Sequence, residues 1–306
     1  MERTLERALP HSLVRVLTEF LVFGVKQAWA CLFGGLLLFA ILMTSSFWPT
    51  NAPMARYDAL FVFAVSIQAL FLVTRLERPQ EAVVILVFHL VGTAMEVFKT
   101  DVGSWVYPEE NVLRIGGVPL FSGFMYAAVG SYLARATRVF DFTWDHYPNR
   151  LATLGLSVLI YVNFFSHHWI YDFRWWLFAI AGLLFWRTHV HFRVWRWRHQ
   201  MPLLIGFLLI SVFLWIAENI GTYTRTWLYP EQTSSWQLVS LSKMGSWYLL
   251  MIISWVLVTL VQRPVTRNAI MQAATARPDF PQDHTNARTG QSEASPAPDQ
   301  HPRRPR

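Results

Sequence analysis

Two glutamates are the residues in this chain best placed to do chemistry. Glu96 and Glu218 each sit about one turn inside the end of an apolar run that is otherwise fit for lipid. An ionisable side chain is costly there and marks function by default. The plainer alternative is that each reaches the interface or pairs locally, Glu96 with Lys99 and Glu218 with Thr222. A carboxyl buried in such a place favours its protonated form, the form that can give a proton away. General acid is therefore the first role to test. His89 lies two helical turns before Glu96 on the same face, so both can line one interior surface. It could assist the glutamate or be a hydrogen-bonded structural histidine.

Aromatic residues stand close by. Trp105 and Tyr107, and again Trp227 and Tyr229, form W-x-Y-P strings that follow the two glutamates. Such strings could anchor loops at a membrane interface, or offer aromatic faces that stabilise a bound cation. Lys243 opens the last apolar run on the same side and could be a counter-ion for Glu218 or Glu231, or an exposed lysine at a helix end. His167, His168 and Asp172 share one short segment and together could ligate a divalent metal. Adjacent histidines on a helix point roughly 100° apart, which weakens that set, and no other cofactor is indicated. His189, His191 and His199 lie among Arg193, Arg196 and Arg198 and read as a surface for anionic lipid. The single cysteine, Cys31, allows neither a disulfide framework nor a thiolate cluster and reads as a small core residue. Gly123, Ala127 and Ser131 recur every four residues, a stripe that lets helices approach closely.

The elements that must position these residues follow from composition. Of 306 residues, 54% are hydrophobic and 16% aromatic, too apolar for an ordinary water-soluble domain. The expectation is an all-α polytopic membrane bundle of about eight transmembrane helices. The spans run approximately Ala28 to Phe47, Tyr57 to Leu76, Ala82 to Phe98, Pro119 to Ala136, Leu151 to Ser166, Asp172 to Trp186, Met201 to Ile220 and Leu241 to Val261. The divisions that follow are 1–27, an N-terminal interfacial helix; 28–136, a first four-helix repeat; 137–150, a cytoplasmic linker; 151–261, a second four-helix repeat; and 262–306, a disordered cytoplasmic tail. No small-residue cleavage site follows the first apolar run, so a removable signal peptide is not expected. The net charge of +7 is scattered over short loops and the tail with no basic stripe, which excludes a nucleic-acid partner and leaves membrane lipids. Of the 26 Lys and Arg residues, 20 fall in the N-terminus, the loops after spans two, four and six, and the tail. Positive residues are retained inside, so both termini are expected in the cytoplasm of a multi-pass protein of a bacterial inner membrane.

An offset of 122 residues aligns the chain with itself without a gap from Glu96 to Tyr126. Glu96 falls on Glu218, Thr100 on Thr222, Trp105 on Trp227, Tyr107 on Tyr229, Pro108 on Pro230, Glu109 on Glu231, Gly123 on Gly245 and Tyr126 on Tyr248. Duplication is the simplest explanation. An even number of spans in each half gives two parallel repeats about an axis along the membrane normal, with both W-x-Y-P loops together on the outer face.

The strings FHLVGTAMEVFKTDVGSWVYPE, GVPLFSGFMYAAVGSYL, IYVNFFSHHWIYD and LWIAENIGTYTRTWLYPEQ resemble the bacterial membrane family called domain of unknown function 817, of the YoaT type. The resemblance spans roughly Lys26 to Val261. It implies the membrane spans and marks the glutamates, the W-x-Y-P loops and the histidine pair as family features, without an assigned activity. The pattern from Asp101-x-Gly103-x-Trp105-x-Tyr107-Pro108 to Gly117-x-Pro119 is also similar to lycopene cyclase domains and carotenoid hydratases, small helical membrane repeats that act on polyisoprenoids. Lycopene cyclases carry paired acidic residues after the proline, where this chain has Leu120, Phe121 and Ser122. The reading that results is a lipid- or isoprenoid-active enzyme in which the glutamates protonate an alkene and nearby Trp and Tyr faces stabilise the cation. A proton-coupled transporter of small solutes and a membrane scaffold without chemistry are the alternatives.

Overall fold

The computed structural model describes residues 11–262. Residues 1–10 of the expected interfacial helix and all but Gln262 of the expected tail lie outside that range. The described chain is mostly helical: α1 (His11–Ala30), α2 (Leu32–Phe47), α3 (Arg56–Val73), α4 (Pro79–Asp101), α5 (Phe121–Val139), α6 (Arg150–Ser166), α7 (Arg174–Phe185), α8 (Leu203–Tyr223) and α9 (Ser242–Val261). By length and apolarity, α3, α4, α8 and α9 can each cross a membrane. Residues Leu13–Ala30 and Leu32–Phe47, bent by 70° at Cys31, make a fifth if taken as one span. Helices α6 and α7 are apolar but shorter. Many large side chains on the outer helix faces are exposed, among them Phe47, Val73, Leu183 and Phe213, so the apolar surface of these helices is not consumed by the core.

The expected boundary at residue 27 is shifted, because α1 runs on to Ala30 before the bend. Cys31 stands at that bend and is exposed, which corrects its assignment to the core. The helical chain also carries two small sheets. A short hairpin pairs β1 (Arg114–Ile115) with β2 (Val118–Pro119), and a three-stranded antiparallel sheet joins β3 (Thr143–Asp145), β4 (His189–Arg193) and β5 (Arg198–Pro202). Side chains suited to a pleated, half-buried surface explain the sheet: Trp144 and Val190 are buried, and Trp144 packs on Trp255 of α9 at 5.1 Å. The histidines and arginines read as a lipid surface are therefore borne by this sheet and its turn, where His191 Nε2 meets Asp145 Oδ2 at 2.5 Å.

Helices α4 and α5 form the tightest pair, α8 and α9 the next, and α9 also touches α4 and α5. Small residues allow this closeness. A Cβ on Gly130 would come within 2.8 Å of the Phe88 ring, and Gly123, Ala127 and Ser131 of the small-residue stripe are buried.

The ends of α4 and α8 set up everything that follows. Helix α4 starts with Pro79 in its first turn and with Glu81 accepting from the Arg78 N–H at 2.9 Å. It stops where Gly103 turns left-handed at φ +72°, with Ser104 N–H bonding Lys99 O at 2.8 Å and Gly103 N–H bonding Thr100 O at 3.1 Å. That is the Schellman pattern, and it folds the chain back over the helix end. Helix α8 stops the same way, 122 residues later. Thr226 N–H bonds Gly221 O and Arg225 N–H bonds Thr222 O, both at 3.0 Å, with Arg225 at φ +53°. Both reversals lead into W-x-Y-P loops. These pair with each other through Val106 and Leu228, whose N–H and C=O groups exchange two bonds of 2.9 Å.

Candidate functional site

Glu96 is enclosed by donors. Its Oε2 accepts from Trp105 Nε1 and Tyr107 Oη, each at 2.7 Å, and its Oε1 accepts from Tyr126 Oη at 2.8 Å. The carboxyl is only 3% exposed. Trp105 and Tyr107 reach it because the Schellman turn returns the loop over α4, and Tyr126 reaches it from α5. The helices can come that close because residue 92 is glycine: a Cβ there would lie 2.6 Å from Tyr126 Cβ. The loop is pinned from behind by α3. Arg56 pairs with Glu109 at 2.5 Å, and Asp58 accepts from the N–H groups of Val112 and Leu113 and from Asn111 Nδ2. Burial, and then the neighbouring Glu96 charge, hold the Tyr107 hydroxyl well above the usual phenol range, so it stays a neutral donor.

Glu218 is held in a similar but not identical way. Tyr229 Oη donates to its Oε1 and Trp247 Nε1 to its Oε2. Tyr229 stands to Glu218 as Tyr107 stands to Glu96, eleven residues on. Burial first, and then Glu218, keep its hydroxyl well above the usual range too. Trp227 departs from the pattern. Instead of donating to the carboxyl, its ring lies on Gly221, where a Cβ would be 1.9 Å from the ring. Trp247 of α9 takes over the donor role. The two clusters abut, with Trp105 edge-on to Tyr229 at 6.0 Å and Tyr126 tilted against Trp247 at 6.4 Å.

A cavity of about 280 Å³ opens between α4, α5, α6, α8 and α9. Its walls distinguish the two glutamates. Glu218 lines the cavity together with Trp105, Tyr126, Tyr229 and Trp247, whereas Glu96 stands behind Trp105 and Tyr126. Three basic residues, Lys99, Arg174 and Lys243, also line the cavity. Lys99 does not pair with Glu96; its Nζ lies 2.8 Å from His168 Nε2 and 4.2 Å from the centre of the Phe164 ring. Partial burial and then the Lys99 charge push the His168 imidazole below its usual range, leaving a neutral ring that can accept from the ammonium. Lys243 makes no ion pair with Glu218 or Glu231 and sits over the Tyr229 ring at 4.2 Å.

Other expected residues are placed differently. His89 stacks on Phe124 at 4.4 Å and lies against Gly123, with no bond to the Glu96 cluster. The three residues of the expected metal set bond different partners, although the His167 and His168 rings lie 4.2 Å apart. His167 Nδ1 turns to Asn163 O at 3.0 Å, His168 to Lys99, and Asp172 to Asn163 Nδ2 and Arg174. Burial raises the Asp172 carboxyl, but the bonds from Asn163 and the Arg174 N–H outweigh it and hold the group below its usual range. Among the described residues, no three His, Cys, Asp or Glu side chains form a group that could hold a metal. The sequence reading passed over Tyr126 and Trp247 as site residues. For Tyr126 a signal existed in its match to Tyr248, but Tyr248 itself packs on Phe178, and its neighbour Trp247 serves Glu218.

A family model described as "Protein of unknown function (DUF817)" matches residues 19–255. "Uncharacterized protein YoaT" of Bacillus subtilis (strain 168) is 43% identical over 245 residues, which cover 80% of this chain and 92% of that protein. No solved structure matches the chain. The family match takes in both glutamates, both W-x-Y-P loops and the cavity between them, and on that extent the chain belongs to the DUF817 family.

Proposed function

We propose that this protein is a multi-pass membrane enzyme that protonates an alkene of a lipid or isoprenoid substrate, with Glu218 as the general acid. The observation that carries the reading is the Glu218 carboxyl, 5% exposed, at the wall of a cavity where Trp105, Tyr126, Tyr229 and Trp247 stand beside it. Trp247 Nε1 donates to Oε2 and Tyr229 Oη to Oε1, which orients the carboxyl and leaves a remaining oxygen position to carry the acid proton toward the cavity. In the reaction the alkene π electrons form a C–H bond to that proton, leaving a carbocation and the Glu218 carboxylate. Loss of a proton from a neighbouring carbon returns Glu218 to its acid form, for a net isomerisation or cyclisation. The aromatic faces stabilise the cation. Glu96 is a positioning residue, since it fixes Trp105 and Tyr126 through their polar ends.

The membrane setting rests on the apolar helices, their exposed outer faces and the placement of 20 of the 26 Lys and Arg residues on one side. Eight spans in two parallel four-helix halves fit the matched helix ends at Gly103 and Arg225 and the matched Glu–Tyr bonds. In this arrangement both termini and the three-stranded sheet face the cytoplasm. A proton-coupled carrier is the second reading, favoured by the position of the cavity between the two halves. Lipid and pigment extracts of cells expressing wild type or Glu218→Gln at matched protein levels test the enzyme. A species gained or lost with Glu218 is expected. Identical extracts, with proton-driven solute uptake by proteoliposomes that needs Glu218, would replace the enzyme by the carrier.

A further inference from the structure

The basic wall of the cavity is more than the protein itself uses. Lys99 is 4% exposed, yet among the described residues no carboxylate lies within ion-pair distance of it; its Nζ meets a histidine nitrogen and the Phe164 and Phe98 rings, with Asp172 acting from farther off. Lys243 and Arg174 are its nearest like charges. Lys243 lies within ion-pair distance of no carboxylate among the described residues, Glu218 and Glu231 acting on it only from farther off, while Arg174 is matched by Asp172 at 2.8 Å. Glu218, which lines the same cavity, is already bonded by Tyr229 and Trp247. A buried ammonium without a counter-charge is expensive, and two facing one cavity are more so. Ser242 and Ser246, from the first turns of the 20-residue helix α9, add hydroxyl donors to the same wall, near the positive end of that helix.

We infer that this wall binds the phosphate or diphosphate head of the substrate, so that the substrate class is a phosphorylated alkenyl lipid with its first double bond near Glu218. Charge selects a phosphate over a carboxylate. Two unmatched ammonium groups call for a dianion, and Arg174 supplies a planar fork beside them. Size places the double bond close to the head. With a water occupying about 30 Å³ of liquid, the cavity equals roughly nine waters. That admits a head group and a short stretch of chain, and the remainder of a longer chain leaves through the opening. The inference rests on Glu218 as the acid and adds what presents the alkene to it.

Binding to the purified full chain in detergent, read by quenching of tryptophan fluorescence, tests the inference apart from turnover. Geranyl diphosphate, geraniol and inorganic diphosphate are the probes. Geranyl diphosphate should bind at least tenfold tighter than either of the others. Lys99→Gln and Lys243→Gln should each weaken it about tenfold with little effect on geraniol, and Lys99→Arg should restore most of the loss while reporting that the site still folds. Parity of geraniol with geranyl diphosphate, or lysine variants without effect, would overturn the head-group site. Parity of inorganic diphosphate would overturn the lipid part of it. Glu218→Gln should keep the preference for diphosphate over alcohol. If that preference holds while no lipid product depends on Glu218, the anion site stands and the acid role falls.

Discussion

Glu96 and Glu218 occupy matching places in the sequence but are held differently, because the side chains around them are not the same. Three donors surround Glu96, and the residues it fixes screen it from the cavity. Replacing it by Gln leaves one of the three donors without an acceptor and loosens Trp105 or Tyr126. Turnover is expected to fall about tenfold, the rate equivalent of one such bond at about 1.4 kcal/mol, with Glu218 chemistry retained. A product assay on matched membranes checks this, and an unchanged rate would remove Glu96 from the site. Glu77 offers a stability test elsewhere. It is buried and accepts from Arg135 at 2.6 Å, Ser131 at 2.8 Å and Gln68 at 2.5 Å. Glu77→Gln strands a buried guanidinium and should destabilise the fold by about 3–5 kcal/mol, seen as early thermal unfolding. The glutamates were legible in the sequence because a carboxyl inside an apolar run has few structural reasons to be there. The alternative of a local Glu96–Lys99 pair, suggested by a lysine three residues from a glutamate on a helix, is not the one that forms. Here the aromatic donors already occupy Glu96, and the lysine swings to His168 instead.

At the scale of elements, the helix ends decide what the loops can reach. The reversals after α4 and α8 put Tyr107 and Tyr229 onto glutamates eleven residues earlier. Gly103 adopts its left-handed conformation freely, whereas Arg225 does so against its Cβ. Arg225→Gly is therefore expected to stabilise the protein by about 1 kcal/mol and Gly103→Ala to destabilise it by a similar amount. Thermal unfolding of the two variants compares them; equal shifts of the same sign would contradict the shared turn. Gly221→Ala should be worse, because the Trp227 ring lies 1.9 Å from where the new Cβ would stand. Overpacking of that kind costs about 1–3 kcal/mol. The long helices were legible from their apolar runs. The sheet was not, since β3, β4 and β5 are three to five residues long and rich in His and Arg, with no strong alternation to read. The bend at Cys31 was also hidden, because both sides of it are good helix formers with no proline between them.

For the whole molecule, the proposed arrangement in two similar halves accounts for the meeting of the two W-x-Y-P loops and for the cavity beside them. The offset of 122 residues made the meeting of the loops readable in advance, and Val106 and Leu228 make it. The asymmetry could not be read that way, because Trp247 and Trp227 have exchanged roles and only packing reveals it. Topology can be tested in a Cys31→Ser background. A cysteine in place of Glu110, whose side chain is 94% exposed, should react with a membrane-impermeant maleimide on intact cells, and one in place of Arg196 only after permeabilisation. The reverse pattern would invert the protein in the membrane. The central claim, proton transfer from Glu218 to carbon, is tested most directly by deuterium incorporation. Membranes holding wild type or Glu218→Gln are incubated in heavy water and their lipids analysed for deuterium bound to carbon. Wild type should place one deuterium beside the former double bond, and Glu218→Gln should place none. Equal labelling in both, or a wild-type product without deuterium on carbon, would contradict the claim.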